Sequence, residues 1–379
     1  MSKSKETSTI KTAVLPAKSG TKKAILDFLK NAMDKKIFDA VIIPMRVPAG
    51  DSFVYVLIKD VSLLKDAFPL SPVMSVQGAR VVSSVTRLGK GDMKIAAVMR
   101  PCEIRATIEL AKFGQVDLEN VTLISMDCPG VMPISDFLSD PEKGMKLFDD
   151  AVTSWDDSIM RPVCKICDKS SMIAGDIHIG TLGAKKDTFF MIPKTQKGND
   201  TLEKSDIKID ADLDEWHNKV TTLSEEKKKK RNSANKDLKV KTGGIDNLID
   251  TFSQCINCHN CMKVCPICFC RLCYFDSENV KHSAENYLQI AENKGSIRFL
   301  PDTILFQTGR MMHMSVSCVS CGSCEDACPA SIPVGQIFSM IADETQKAFD
   351  YVSGRDINEP TPLVAYKKDE LHEMEDAHD

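Results

Sequence analysis

The chain has 379 residues, of which 43% are hydrophobic and 27% charged, enough for about two or three domains with buried cores. Its formal net charge of −4 gives no reason to expect a nucleic-acid partner. Neither a signal peptide nor an apolar run long enough to cross a bilayer is present. We therefore expect a cytoplasmic protein with no membrane span. Its fifteen cysteines are then expected to be reduced rather than paired in disulfides, as they would be in a secreted protein.

The first half of the chain predicts alternating helices and strands after a polar, flexible tail at residues 1–10. Apolar periodicity predicts helices over 21–36 and 103–113, and strands over 38–43, 52–59, 94–99 and 120–125. This order favours an α/β (or α+β) domain over residues 11–200. In such a domain, we expect the chemistry in loops that follow the strands.

The second half begins with a lysine-rich stretch, residues 201–244, whose basic run at 227–231 is nearly cancelled by neighbouring acids. A solvated helix or an interdomain linker is therefore favoured over a nucleic-acid or membrane patch. Residues 245–353 predict a second, mostly α-helical domain, with a helix over 283–293. An acidic tail follows at residues 354–379.

Two cysteine runs in the second domain have the ligand spacing of bacterial ferredoxins. They are Cys255-x-x-Cys258-x-x-Cys261-x-x-x-Cys265-Pro266 and Cys318-x-x-Cys321-x-x-Cys324-x-x-x-Cys328-Pro329. In such runs three cysteines hold one 4Fe–4S cluster and the fourth completes the cluster of the other run. We therefore expect a ferredoxin-like dicluster domain, in which Cys328 joins the first three cysteines of the first run and Cys265 joins those of the second. A structural zinc site is the alternative, but zinc ligands usually form two separated pairs.

Four further cysteines occur in the first half of the chain: Cys102, Cys128, Cys164 and Cys167. Cys102 and Cys128 each follow a predicted strand, and adjacent parallel strands end side by side. The four thiols could therefore converge on a third 4Fe–4S cluster. In the alternative interpretation, Cys102 and Cys128 are small buried apolar residues and only the Cys164-x-x-Cys167 pair carries chemistry.

Other candidate residues leave their roles open. Cys268, Cys270 and Cys273 follow the first run too densely for ordinary core positions. They could ligate another centre with a partner, shield the cluster near Cys265, or substitute for one of its ligands. Three histidines lie near these segments, His178, His259 and His313, and single histidines are more often hydrogen-bonded structural residues than catalysts.

Several motifs of the first half occur in a distinctive order. Ala97-Val-Met-Arg-Pro-Cys-Glu-Ile104 precedes Asp127-Cys-Pro-Gly130, and Cys164-Lys-Ile-Cys-Asp168 precedes Gly175-Asp-Ile-His-Ile-Gly180. Ser19-Gly20, Phe38-Asp-Ala-Val41 and Met191-Ile-Pro-Lys-Thr-Gln-Lys-Gly198 fit the same order. Over residues 12–200 the chain thus resembles the beta subunit of coenzyme F420-reducing hydrogenases and F420-dependent formate dehydrogenases. It departs from that family where Arg100-Pro-Cys-Glu103 replaces Thr-Pro-Cys-Gln, and where Gly20-Thr21 replaces Gly-Gly.

The resemblance implies FAD beside an iron–sulfur site built from the four cysteines of the first half. Backbone N–H groups at turns and helix starts would hold the FAD pyrophosphate. The candidate cofactor-binding residues are Ser19, Gly20, Thr21, Gly180, Gly183 and Lys194. A plain turn is the alternative for Gly180-x-x-Gly183. NAD is disfavoured, because neither a Walker motif nor a full dinucleotide fingerprint occurs.

Together these features predict an electron-transfer subunit of a cytoplasmic, anaerobic oxidoreductase complex. A flavin exchanges a hydride with coenzyme F420 and passes single electrons onward through the 4Fe–4S clusters. The expected partners are the catalytic subunit of a formate dehydrogenase or hydrogenase, and a heterodisulfide-reductase-type protein. The alternative is a protein-to-protein electron relay without a small-molecule substrate, in which the flavin domain serves only for docking.

Overall fold

A computed structural model describes residues 11–172, 174–297, 300, 302–362 and 364. The tail predicted at residues 1–10, and the tail predicted at the C-terminus beyond residue 364, lie outside this part of the chain. No helix among the described residues is both long and apolar enough to cross a bilayer.

One seven-stranded sheet forms the centre of the first half, with the strand order β1-β7-β6-β5-β4-β2-β3. The strands are β1 Ala13–Pro16, β2 Ala40–Arg46, β3 Phe53–Ile58, β4 Ile95–Val98, β5 Val121–Met126, β6 Ile177–Gly180 and β7 Thr188–Pro193. The neighbours β2, β4, β5 and β6 are parallel, whereas β3 and β7 are antiparallel to the strands beside them. The parallel strands end at one edge of the sheet, and the predicted cysteine loops start there.

Helices cover both faces of this sheet. They are α1 Thr21–Asp34, α2 Gly78–Thr86, α3 Pro101–Lys112, α4 Ile134–Ser139, α5 Pro141–Ser154, α6 Pro162–Lys165 and α7 Gln196–Lys204, with a 3-10 helix at Val61–Asp66. The α1 helix buries its apolar residues, among them Phe28 and Leu29, in one core with Val41 and Ile124 of the sheet. The predicted strands and helices of this half are thus confirmed to within a few residues.

The second half is helical. Its helices are α8 Asp214–Thr242, α9 Ile245–Phe252, α10 Asn260–Lys263, α11 Ala284–Lys294, α12 Thr303–Met314, α13 Ser323–Asp326 and α14 Val334–Ala348, with 3-10 helices at Tyr274–Asp276 and Glu278–Val280. One core cluster combines α3 residues such as Ile104 and Ile108 with Phe306 and Ile337 of the helical half. The two halves therefore share a core across α3.

Most of the lysine-rich stretch forms the α8 helix, Asp214–Thr242, in agreement with the expected helix. This helix is not fully solvated. Lys227 is buried and its Nζ donates to the carbonyl of Lys165 at 2.9 Å. One turn later, Arg231 Nε donates to Asp343 Oδ2 of α14 at 2.5 Å, and its Nη2 donates to Ser339 Oγ at 2.7 Å. The α8 helix thus connects the sheet domain to the second half.

The chain after α14 packs against α3. Arg105 Nε donates to the carbonyl of Ser353 at 2.9 Å. One turn further along α3, the Glu109 carboxylate accepts hydrogen bonds from Tyr351 Oη at 2.5 Å and from the Gly354 amide at 2.7 Å. These bonds hold the start of the predicted acidic tail on the sheet domain.

We expect Gly354→Ala to weaken this attachment. Gly354 has φ +69°, and a Cβ atom there would lie 2.2 Å from the Arg105 carbonyl oxygen. Left-handed strain and overpacking together predict a loss of about 2–4 kcal/mol in the free energy of unfolding, measured by denaturant titration. Gly295→Ala is the matched control, because Gly295 has φ +80° but open space around it. An equal loss in the two variants would contradict the packing explanation.

Candidate cofactor sites

Four cysteines around α10 form what we call the first site: Cys255, Cys258, Cys261 and Cys328. Burial raises the pKa of the Cys261 thiol to about 11, and the adjacent Arg310 guanidinium opposes the rise. The other three cysteines lie near enough to Cys261 to raise its pKa further. The structure thus brings together three cysteines of one run and the last cysteine of the other, as their spacing predicts.

A cavity between α12 and α14 is lined by four cysteines, which we call the second site: Cys265, Cys318, Cys321 and Cys324. Burial raises the pKa of Cys318 to about 12, and the thiols of Cys265 and Cys321 add to the rise. Cys324 is likewise close to the other three thiols. The structure therefore also brings together the four cysteines of the reciprocal pairing.

The third site consists of Cys102, Cys128, Cys164 and Cys167, which meet at the carboxyl edge of the sheet. Cys102 lies in the first turn of α3, Cys128 follows β5, and Cys164 lies in α6. Burial raises the pKa of Cys102 well above its ordinary value, and the thiols of Cys128 and Cys167 act in the same direction. Cys164 is close to both Cys128 and Cys167. This convergence favours a third cluster over the alternative in which Cys102 and Cys128 are only apolar core.

The number of donors at each site suits a 4Fe–4S cluster. Such a cluster takes four thiolates, each of which binds a different iron. Each of the three sites supplies four cysteines, which is the ligand number that such a cluster requires.

Buried arginines next to the thiols support the same assignment. The Arg310 side chain is only 2% exposed, and its Nη1 donates to Cys261 Sγ at 3.0 Å. Its Nε has no hydrogen-bond partner among the described residues. Arg100 Nη1 likewise donates to Cys128 Sγ at 3.0 Å in the third site. A buried cation requires a nearby negative charge, which thiolate-bound clusters would supply.

The three sites follow one another in space. Cys321 of the second site lies near enough to Cys102 of the third site to raise the pKa of the Cys102 thiol. Between them, Arg161 donates to Asp326 Oδ2 at 2.8 Å and to the Cys321 carbonyl. Arg310 lies between the second and first sites, because it lines the second-site cavity and donates to Cys261 Sγ of the first site. The order is therefore third, second, first, starting from the sheet.

A buried network fixes the loop that carries Cys128. Asp127 Oδ1 lies 3.0 Å from His178 Nε2, and Asp127 Oδ2 accepts from Trp216 Nε1 at 3.0 Å and from the Thr181 amide at 2.7 Å. Burial acts to raise the pKa of Asp127, but these hydrogen bonds bring it below its ordinary value. His178 Nδ1 lies 2.6 Å from Ser125 Oγ, so this histidine has the structural role that is usual for a single histidine.

A cavity of about 470 Å³ lies beside Cys128, and both neighbours of that cysteine, Asp127 and Pro129, border it. Its volume is in the range of small-molecule sites. The apolar wall consists of Ile25, Phe68, Pro69, Leu70, Met126, Phe148, Val152, Trp155, Ile179 and Ala184. Lys185, Lys186 and Lys22 also line it, and Lys22 Nζ lies 3.2 Å from the centroid of the Phe68 ring. Aromatic surface and positive charge together suit a flavin nucleotide.

The residues predicted to bind FAD are not all at this cavity. Thr21 lines it, because α1 begins there, and Gly20 is the N-cap of that helix with φ +91°. Ser19 lines a separate groove between α1 and β7. Lys194 lies at the opposite edge of the sheet, where its amide donates to the Asp176 carbonyl before β6. The structure therefore does not bring Lys194 together with Thr21.

The glycines after β6 have a packing explanation. A Cβ atom at Gly180 would lie 2.7 Å from the Trp216 indole, and one at Gly183 would lie 2.8 Å from the Glu215 carbonyl oxygen. The amide of Thr181, between the two glycines, donates to Asp127 rather than facing the cavity freely. Contact of Gly180 and Gly183 with a cofactor stays a prediction, which their geometry does not require.

The extra cysteines do not gather at one point. The sulfurs of Cys265 and Cys268 lie 3.9 and 3.7 Å from Met314 Sδ. Cys273 instead contacts Met262, and Cys270 is exposed. The sequence left three roles open for these cysteines. The position of Cys268 beside Cys265 suits two of them, shielding of the second site and substitution for Cys265 as a ligand. The sequence analysis named Arg100 only as a departure from the family pattern. It assigned no role to Arg161, Arg310 or the cavity lysines, because no local spacing marks them.

Comparison with known proteins gives three similarities. Residues 251–332 match the family model described as 4Fe-4S dicluster domain. The chain is 30% identical over 381 residues to the beta subunit of F420-dependent formate dehydrogenase 1 from Methanococcus maripaludis, covering 90% of this chain and 92% of that one. It is 26% identical over 303 residues to the F420-dependent formate dehydrogenase beta subunit from Methanocaldococcus jannaschii, covering 71% and 76%.

Among solved structures, a chain of the F420-reducing NiFe hydrogenase complex from Methanosarcina barkeri is similar. It has 12% sequence identity and a TM-score of 0.45, over 65% of this chain and 97% of that one.

Proposed function

We infer that this chain, which belongs to the family of F420-dependent formate dehydrogenase beta subunits, binds FAD and exchanges electrons with coenzyme F420. The family consists of subunits of oxidoreductase complexes, and its iron–sulfur domain indicates electron transfer. Bound FAD would accept or donate a hydride and pass single electrons to three 4Fe–4S clusters. The formate or hydrogen chemistry, and a heterodisulfide-reductase-type partner, would belong to other chains.

The observation that carries this proposal is the alignment of the cavity with the three cysteine sites. Asp127 and Pro129 border the cavity on either side of Cys128, which belongs to the third site. The third site adjoins the second through Cys102 and Cys321. A cofactor in the cavity would therefore stand at one end of a continuous row of cluster sites.

The cavity residues divide into two groups. Lys22, Lys185 and Lys186, with the first N–H groups of α1, would hold the pyrophosphate, since both the lysines and a helix N-terminus favour anions. The aromatic and aliphatic wall would take the flavin ring. The Asp127 network would keep the Cys128 loop in place against it. No general acid or base is required of these residues, because hydride transfer depends on stacking geometry.

The structure weakens the relay alternative, whose support was the pair of departures from the family pattern. Arg100 turns to Cys128 and to the Ser71 carbonyl rather than into the cavity. Glu103 is held by Tyr55 Oη at 2.6 Å and by the Gly78 amide at 2.7 Å. Thr21, the other departure, lines the cavity as the start of α1. Neither Arg100 nor Glu103 lines the cavity, so these two departures leave it free for a flavin.

We expect Lys22→Ala to weaken FAD binding about 10- to 100-fold, since a charge-assisted contact contributes about 1.5–3 kcal/mol. The measurement is FAD titration of deflavinated, anaerobically purified protein. Lys23→Ala is the control, because Lys23 is exposed on the same helix and does not line the cavity. If the two variants bound FAD with equal affinity, the flavin would not bind in this cavity.

The function itself is tested by spectroscopy of the anaerobic protein together with any copurifying subunits. We expect about one FAD per chain, and bleaching of the flavin and cluster absorbance on addition of reduced coenzyme F420. Protein that lacks flavin and is reduced only by protein partners would contradict the proposal and establish the relay function.

A further inference from the structure

We propose that Arg310 sets the reduction potentials of the first and second clusters together, holding both higher than they would be without it. This inference rests on the proposed function, because it requires 4Fe–4S clusters at both sites. Nothing in the ferredoxin-like spacing assigns a role to this residue. It lies on α12, in the segment between the two cysteine runs.

The placement of Arg310 gives it contact with both sites. Its Nη1 and Nη2 donate to Sγ and to the carbonyl oxygen of Cys261, a first-site cysteine, each at 3.0 Å. The same side chain lines the second-site cavity, and its positive charge acts to lower the pKa of Cys265. The Phe338 ring, whose centroid lies 4.6 Å from the guanidinium carbon, holds it from the other side. One fixed cation thus serves two cluster sites.

The charge of Arg310 has no carboxylate to balance it. Two other buried arginines in this region are paired, Arg161 with Asp326 at 2.8 Å and Arg231 with Asp343 at 2.5 Å. Arg310 has no such ion pair within the described residues, and its Nε is without a hydrogen-bond partner there. Its nearest negative charges would be the thiolates and the clusters that they bind.

The direction of the effect follows from this imbalance. Reduction adds one negative charge to a cluster, and a buried, unscreened cation stabilises that charge more than exposed ones do. The hydrogen bond to Cys261 Sγ acts in the same direction, because hydrogen bonds to cluster sulfurs raise potentials. Removing Arg310 therefore lowers both potentials, and the third cluster, which it does not contact, keeps its own.

The test is a potentiometric titration of the anaerobic full chain, followed by electron paramagnetic resonance. At the wild-type midpoints, we expect Arg310→Gln to lower the reduced-to-oxidised ratio of both clusters about tenfold, a shift of ~59 mV for one electron. Arg310→Lys keeps the charge and should stay within about threefold of the wild type. The control is Arg105→Gln. Arg105 is also 2% exposed, but it bonds Ser353 and Val319 rather than a cysteine.

The outcomes separate this inference from the proposed function. Iron analysis of the wild type comes first, and absence of first- and second-site clusters would refute the function on which the inference depends. With both clusters present, Arg310→Gln potentials equal to those of the wild type would overturn the inference. If Arg310→Gln fails to assemble its clusters, Arg310→Lys decides. An Arg310→Lys protein that assembles both clusters at wild-type potentials supports the role of the charge. A tenfold change in the reduced-to-oxidised ratio of its clusters, despite the retained charge, contradicts that role.

Discussion

Cys128→Ser is expected to remove about four of about twelve irons per chain, because a serine hydroxyl is a poor substitute for a thiolate in a 4Fe–4S cluster. The third site would lose one of its four ligands, while the cysteines of the other two sites remain unchanged. Iron and acid-labile sulfide, measured after anaerobic purification, give the count. The electron paramagnetic resonance signals of the two dicluster sites should persist.

The matched control for that variant is Cys270→Ser. Cys270 is exposed and belongs to none of the three sites, so its replacement should leave the iron content unchanged. A Cys128→Ser protein with the full iron content would show that Cys128 is only a buried apolar residue. Loss of iron in both variants would instead point to a fourth centre that includes Cys270.

Asp127→Ala is expected to cause the largest loss of stability. The carboxylate accepts hydrogen bonds from Trp216 Nε1 and from the Thr181 and Leu182 amides, and it lies against His178. Its removal leaves the buried Trp216 indole and the two partly buried amides without a partner, which costs about 3–5 kcal/mol. Denaturant unfolding measures that loss, and we also expect the variant to release FAD, because the carboxylate borders the cavity.

Asp140→Ala serves as the comparison for Asp127→Ala. Asp140 is the N-cap of α5, where its carboxylate accepts from the Lys143 amide at 3.0 Å. Loss of such a cap costs about 1 kcal/mol. If the Asp127 variant were destabilised no more than the Asp140 variant, the network would not be what holds the Cys128 loop.

Local spacing explains why the dicluster pairing could be predicted from the sequence. A Cys-x-x-Cys-x-x-Cys-x-x-x-Cys-Pro run places three thiols around one point and sends the fourth to a neighbour, whatever the rest of the chain does. The strands before Cys102 and Cys128 are short, fully buried and largely apolar, so their existence and the position of the loops after them could also be predicted. These features depend on residues close together in sequence.

The missed features depend on contacts between distant segments. Arg310 and Cys261 are 49 residues apart, and Arg161 and Asp326 are 165 apart. The separation of Lys194 from Thr21 has a related cause. The motif around Lys194 suggested a strand leading into a cofactor turn, but β7 runs antiparallel to β6 and ends at the opposite edge. Strand direction at this position is decided by pairing, which a single sequence does not reveal.

The path from the cavity to the dicluster sites is tested most directly by adding reduced coenzyme F420 to Cys128→Ser protein. We expect the bound FAD still to be reduced but the first- and second-site clusters to stay oxidised, because the connecting cluster is missing. Dithionite, which reaches those clusters from solvent, should still reduce them. If reduced F420 reduced the first- and second-site clusters of this variant at the wild-type rate, electrons would not pass through the third site, and the proposed path would be wrong.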